Sequence, residues 1–95
     1  MDKITTVSLA DRVKLLIGKD SQYALAKFLN ISRPAISRWY DGTSVMDDDT
    51  AVRCAFAVGL DPEHVLCWLQ VERMEKRGND NLSQYWRHIA EQIAA

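Results

Sequence analysis

Five helix-stopping sites, at Gly18, Asn30-Ile31-Ser32, Gly42, Gly59 and Gly78-Asn79-Asp80, cut the chain into six segments, and all four glycines of the sequence fall in them. Glycine reaches the left-handed conformation that ends a helix without a steric penalty. Between the stops, apolar residues recur three and four positions apart, and the alternation expected of a strand is missing. The pattern predicts an all-α chain built from short helices.

The first helix is predicted from Ser8, a capping residue with Asp11 three positions on, to Ile17, with Leu9, Val13, Leu16 and Ile17 as its apolar stripe. The second follows Ser21 and carries Leu25, Ala26, Phe28 and Leu29. Ser32 is placed to cap a third over Arg33–Tyr40, which turns Ile36 and Trp39 or Tyr40 inward. A fourth begins within Asp47-Asp48-Asp49, where acids suit the positive helix end, and carries Ala51, Val52, Ala55, Phe56 and Val58. Asp61-Pro62 opens the fifth as an N-cap followed by proline in the first helical position, and the fifth continues to about Arg77. The sixth starts at Asn81, with Leu82, Tyr85, Trp86, Ile89 and Ile93 at helical spacing.

A length of 95 residues suits one domain rather than two cores. The expected division is a helical domain over 1–77 with an appended helix over 78–95. Hydrophobic residues make up 47% of the chain, enough to fold and too many for disorder. No apolar run reaches the ~18 residues of a membrane span. The start, Met1 to Thr6, lacks the layout of a secretory signal, so a cytoplasmic location is expected.

Several chemistries find little support. Cys54 and Cys67 sit in apolar helical stretches, where a reduced cysteine behaves as a small hydrophobe, and His64 and His88 stand alone. Three successive aspartates on a helix point in three directions, which suits capping better than chelation. No serine, histidine and carboxylate grouping and no phosphate-cradling glycine loop is visible. No metal, no cofactor and no enzymatic activity are therefore expected.

The net charge of −1 conceals an asymmetry. Residues 1–45 carry seven Lys/Arg against four acids, or +3, and residues 46–95 carry five against nine, or −4. One face suits a polyanion and the other something else.

The basic half holds the informative stretch, Gln22 to Trp39. Two short helices are joined by about three residues, with small Ala26 where they approach and Ile31 plugging the turn. Ile36 and Trp39 anchor the second helix from behind, leaving Arg33, Pro34, Ser37 and Arg38 on its free face. A helix of this size fits the DNA major groove, and its N-terminal residues reach base edges.

The run Tyr23-Ala24-Leu25-Ala26-Lys27-Phe28-Leu29-Asn30-Ile31-Ser32, followed by Ala35-Ile36-Ser37-Arg38-Trp39, resembles the lambdoid phage repressor and Cro helix-turn-helix superfamily. Val45 to Ala51 and Gly59 to Leu66 are similar to a family of short phage and prophage regulators of otherwise unassigned function. The superfamily likeness covers about Ser8 to Leu69. It implies a repressor-like domain of about five helices with one extra, duplex operator DNA as ligand, and a bacterial host cell.

Carried over by position, the resemblance makes Gln22 a phosphate contact, Arg33, Pro34, Ser37 and Arg38 base-reading positions, and Ser32 a phosphate contact just before them. Where the family has basic residues that touch the backbone after the recognition helix, this chain has Thr43 and Ser44, which are the DNA contacts expected there, and then acids. Pro34 offers only an apolar contact, for example to a thymine methyl. Arg38 is placed to read guanine. Arg33 suits base or phosphate equally, and Lys19 and Lys27 are either backbone contacts or plain surface. Trp39 belongs to the core by its phase with Ile36.

On the fifth helix Val65, Leu66 and Leu69 make one apolar face, and Cys67, Trp68, Val71 and Met74 another. The second must be covered by the sixth helix, from the same chain or from a partner. Dimeric reading of two half-sites favours a homodimer joined through Trp68, Val71, Met74, Tyr85, Trp86, Ile89 and Ile93. The rival expectation is a protein-interaction module, such as an antirepressor or antitoxin.

Overall fold

The structure is a computed structural model that describes residues 3–94. Met1, Asp2 and Ala95, at the ends of the two expected spans, lie outside the described residues. Six helices follow one another, with no strand among the described residues: α1 (Thr6–Ile17), α2 (Gln22–Leu29), α3 (Arg33–Tyr40), α4 (Asp48–Val58), α5 (Pro62–Lys76) and α6 (Asp80–Ala94).

Local chemistry sets the boundaries. Ser21 and Ser32 cap α2 and α3 by accepting the amides of Ala24 and Ala35. Gly18, Asn30 and Gly59 adopt the left-handed conformation that ends α1, α2 and α4. Asn30 does so at φ 56°, a region that asparagine tolerates better than other non-glycine residues. Two starts differ from expectation. Thr5 caps α1, and Ser8 serves as the third residue of a reciprocal capping box, so the helix begins at Thr6. Asn79 accepts the Leu82 amide at 3.1 Å, and α6 begins at Asp80.

The core gathers Leu9 and Val13 of α1, Leu25 and Leu29 of α2, Ile36 and Trp39 of α3, Ala51 and Cys54 of α4, and Val65, Trp68 and Leu69 of α5. Burial pushes the Cys54 thiol up to about 11, and both cysteines are free. His64 is a core residue whose Nε2 accepts the Trp68 indole N–H at 3.1 Å. Three residues expected inside are exposed: Leu16, Phe28 and Phe56 lie at the margins of their stripes, beyond the arc their neighbours cover.

The sixth helix packs on α5 of its own chain. Trp68, Val71 and Met74 are buried there, so they are not open to a partner as expected of a dimer interface. The side that α6 turns inward is formed largely by Ser83, Ala90 and half of Trp86, small enough to let the helices approach. Arg87 lies 5.5 Å from the Trp68 ring and 3.8 Å from the Glu75 carboxylate.

A polar knot crosses this apolar interior. Fully buried Thr6 donates its hydroxyl to Glu72 at 2.8 Å and its amide to the same oxygen at 2.9 Å, and its Oγ1 accepts the Met46 amide at 3.0 Å. The start of α1, the middle of α5 and the chain between α3 and α4 meet at one side chain. A buried amide left without an acceptor costs about 1–3 kcal/mol. Thr6→Val, which keeps the shape and removes the oxygen, is therefore expected to lower stability by about that much, roughly 5–20 °C in melting temperature for a domain of this size. Thr6→Ser, which keeps the oxygen, should lose less. Thermal denaturation followed by circular dichroism checks this, and equal melting of wild type and Thr6→Val would refute it.

Candidate nucleic-acid interface

The eight residues of α3 divide sharply into two sides. Ile36 and Trp39 are buried, whereas Arg33, Pro34, Ser37 and Arg38 are exposed. Helix α2 precedes it across Asn30-Ile31-Ser32, and Ile31 packs against the core from within that turn. Ala26, buried on α2, leaves room for close approach. Tyr40 ties the far end of α3 to α1: its hydroxyl donates to Asp11 at 2.7 Å, and Lys14 stacks 4.2 Å from its ring. Burial, helped by Asp11, pushes the Tyr40 phenol well above its ordinary value, so it remains a donor. Both ends of α3 are thus anchored, and its exposed side is held rigidly.

Around the N-terminal end of α3, Lys27, Ser32 and Arg33 line one surface groove of about 480 Å³ with Tyr23 and Asn30. Arg33 sits 5.7 Å from the Tyr23 ring, a cation–π contact that limits its wandering. Gln22 is the first residue of α2 and half-buried. The first amides of a helix lack partners within it and suit an anion. Arg33 and Arg38 make no ion pair among the described residues.

At the C-terminal end the expected residues are occupied differently. The amides of Thr43 and Ser44 both donate to the Arg38 carbonyl, at 3.0 and 3.2 Å. The Thr43 hydroxyl donates to Asp41 at 2.7 Å. This bond, then the Thr43 amide, with smaller help from Arg38 and Lys76, holds the Asp41 carboxyl below its usual range. Thr43 therefore caps a turn, and only the Ser44 side chain has no such engagement among the described residues. Lys19 lines the grooves between the end of α1 and the start of α2, one of them together with Lys27 and Tyr23.

No protein-family model matches the chain, and no solved structure matches it. Gp-c, an uncharacterized protein of Pseudoalteromonas phage PM2, is 32% identical over 88 residues, covering 90% of this chain and 95% of Gp-c. The chain belongs to the Gp-c family. The likeness to Gp-c spans far more than α2 and α3, so it reaches across the helical domain rather than one motif. Its phage source agrees with the phage-related part of the sequence expectation.

Within this Gp-c family member, two contributors to the α3 surface escaped the sequence. Tyr23 was legible only as part of a motif, not as the partner of Arg33. Lys76, on α5, donates to the Gly42 carbonyl just past α3. A separation of 34 residues leaves no local signal for that contact. No helix among the described residues is long and apolar enough to cross a membrane, and no group of three or more potential metal ligands occurs among them.

Proposed function

We propose that this Gp-c family member is a sequence-specific DNA-binding transcriptional regulator, a phage or prophage repressor that binds operator DNA as a homodimer through a repressor/Cro-like helix-turn-helix. One observation carries this reading. A short helix is anchored from behind by Ile36 and Trp39, while its opposite side presents two arginines, a serine and a proline to solvent. Such a rigid, exposed, cationic ridge fits the width of the major groove. Blocking promoter access is the simplest regulatory consequence. The exposed Leu15, Leu16 and Phe56 favour, as a second reading, a protein-binding module on the same scaffold.

Pairing would use α6. Its outward arc carries Leu82, Tyr85 and Ile93 with half-buried Ile89 between them, and the polar residues directly beside it, Asn81, His88 and Gln92, bear no carboxylate, lysine or arginine. Depletion of charge around an apolar strip is the composition of an interface core. A self-complementary strip is what a two-fold dimer needs.

Arg38→Ala is expected to cost about 1–3 kcal/mol on the DNA site the protein selects and much less on unrelated duplex. Gln22→Ala should weaken both about equally, because a phosphate contact carries no sequence information. Titration of the two variants against both DNAs decides, and equal losses for Arg38→Ala on the two would remove its base-reading role.

Tyr85→Asp is expected to convert a dimer to a monomer without loss of helix content, by placing a charge in the middle of the strip. Trp86 is a poorer choice because it also packs on the core. Sedimentation with circular dichroism as a control tests the interface. A wild type that stays monomeric at high concentration, or a Tyr85→Asp protein that stays dimeric, would make α6 an internal brace only.

A further inference from the structure

A helix lying in the major groove has a sugar–phosphate strand beside each of its ends. At the N-terminal end of α3, Lys27, Ser32 and Arg33 line one groove that suits such a strand. The loop at its other end does not: between Asp41 and Asp49 the chain has four aspartates and no lysine or arginine. The amides and the Thr43 hydroxyl that could serve there already bind Arg38 and Asp41.

The fold brings a cation to this place from α5. Two residues one turn apart on that helix reach the loop. Arg73 is occupied, 2.6 Å from the Asp48 carboxylate and 2.8 Å from the Met46 carbonyl. Lys76 is exposed, has no carboxylate partner among the described residues, and donates to the Gly42 carbonyl. An ammonium group has three donors, so two N–H groups are left to face solvent. Lys76 and Arg38 both favour the charged form of Asp41, the residue that ends α3.

We infer that Lys76 is a phosphate contact, gripping the DNA strand that flanks the C-terminal end of α3 from a helix remote in sequence. The inference rests on the DNA-binding reading. It also revises the charge division, because the acidic half of the chain lends a cation to the side where the polyanion lies. Lys76 acts with Arg73 as a pair in which one holds the loop and the other meets the strand.

The test is the salt dependence of binding to a short mixed-sequence duplex, measured between about 50 and 200 mM salt. Each phosphate neutralised contributes about 0.9 to the slope of log affinity against log salt, so Lys76→Ala should reduce the slope by about 0.9 per subunit. Lys76→Arg should restore it. Arg12→Ala removes the same charge at the α1–α4 edge, beside Leu16 and Val58, and should leave the slope unchanged. A lysine that merely braced the loop would lower the melting temperature and leave the slope alone. If the wild type shows a steep slope that Lys76→Ala does not alter, or alters no more than Arg12→Ala, the inference is overturned while DNA binding stands. If the wild type binds no duplex at low salt, both fall.

Discussion

The Thr6 hydroxyl, closed in by Glu72 and the Met46 amide, joins three stretches of chain that the apolar core alone would leave free to slide. Burial of apolar surface is not directional, and a bundle of short helices can pack in several ways at similar cost. Hydrogen bonds in the interior discriminate among them, because a misplaced helix leaves an amide or carboxylate without a partner. Arg73 extends the same restraint by fixing the Met46 carbonyl and Asp48. The connection from α3 to α4 is thereby tied to α5.

That constraint explains how a helix of eight residues can act as a fixed ridge. Isolated, it would be too short to persist in water. Here Ser32 caps its start, Ile36 and Trp39 bury its back, Tyr40 binds α1, and the Thr43 and Ser44 amides close its end. The exposed side chains inherit that rigidity without contributing to it. Stability and proposed recognition are therefore divided between two faces of one element, and variants on the two faces should separate cleanly.

The helices themselves were legible because their signals are local. Serine before α2 and α3, proline after Asp61 and glycine after α1 and α4 each act within one turn of the chain. The exposure of Leu16, Phe28 and Phe56 was not legible, since periodicity gives the direction of a stripe but not how much of its width a neighbour covers. Nor was the covering of Trp68, Val71 and Met74 by α6 of the same chain, because a matching apolar face looks alike whether the cover is internal or a second copy. Sequence pattern placed Arg33, Pro34, Ser37 and Arg38 on one exposed side correctly. It overlooked Lys76, whose position depends on how α5 crosses the loop, and it offered Thr43 as a ligand contact although its donors are already engaged within the chain.

Whether the exposed side of α3 reads a base sequence is decided by selection from a random pool of duplex DNA with the unmodified protein. A base-reading α3 should enrich one motif, arranged as two inverted half-sites about one helical turn apart if α6 pairs two copies. A pool that stays unenriched through repeated rounds while the protein remains folded would contradict it, and would turn attention to the exposed leucines and Phe56 as a surface for protein.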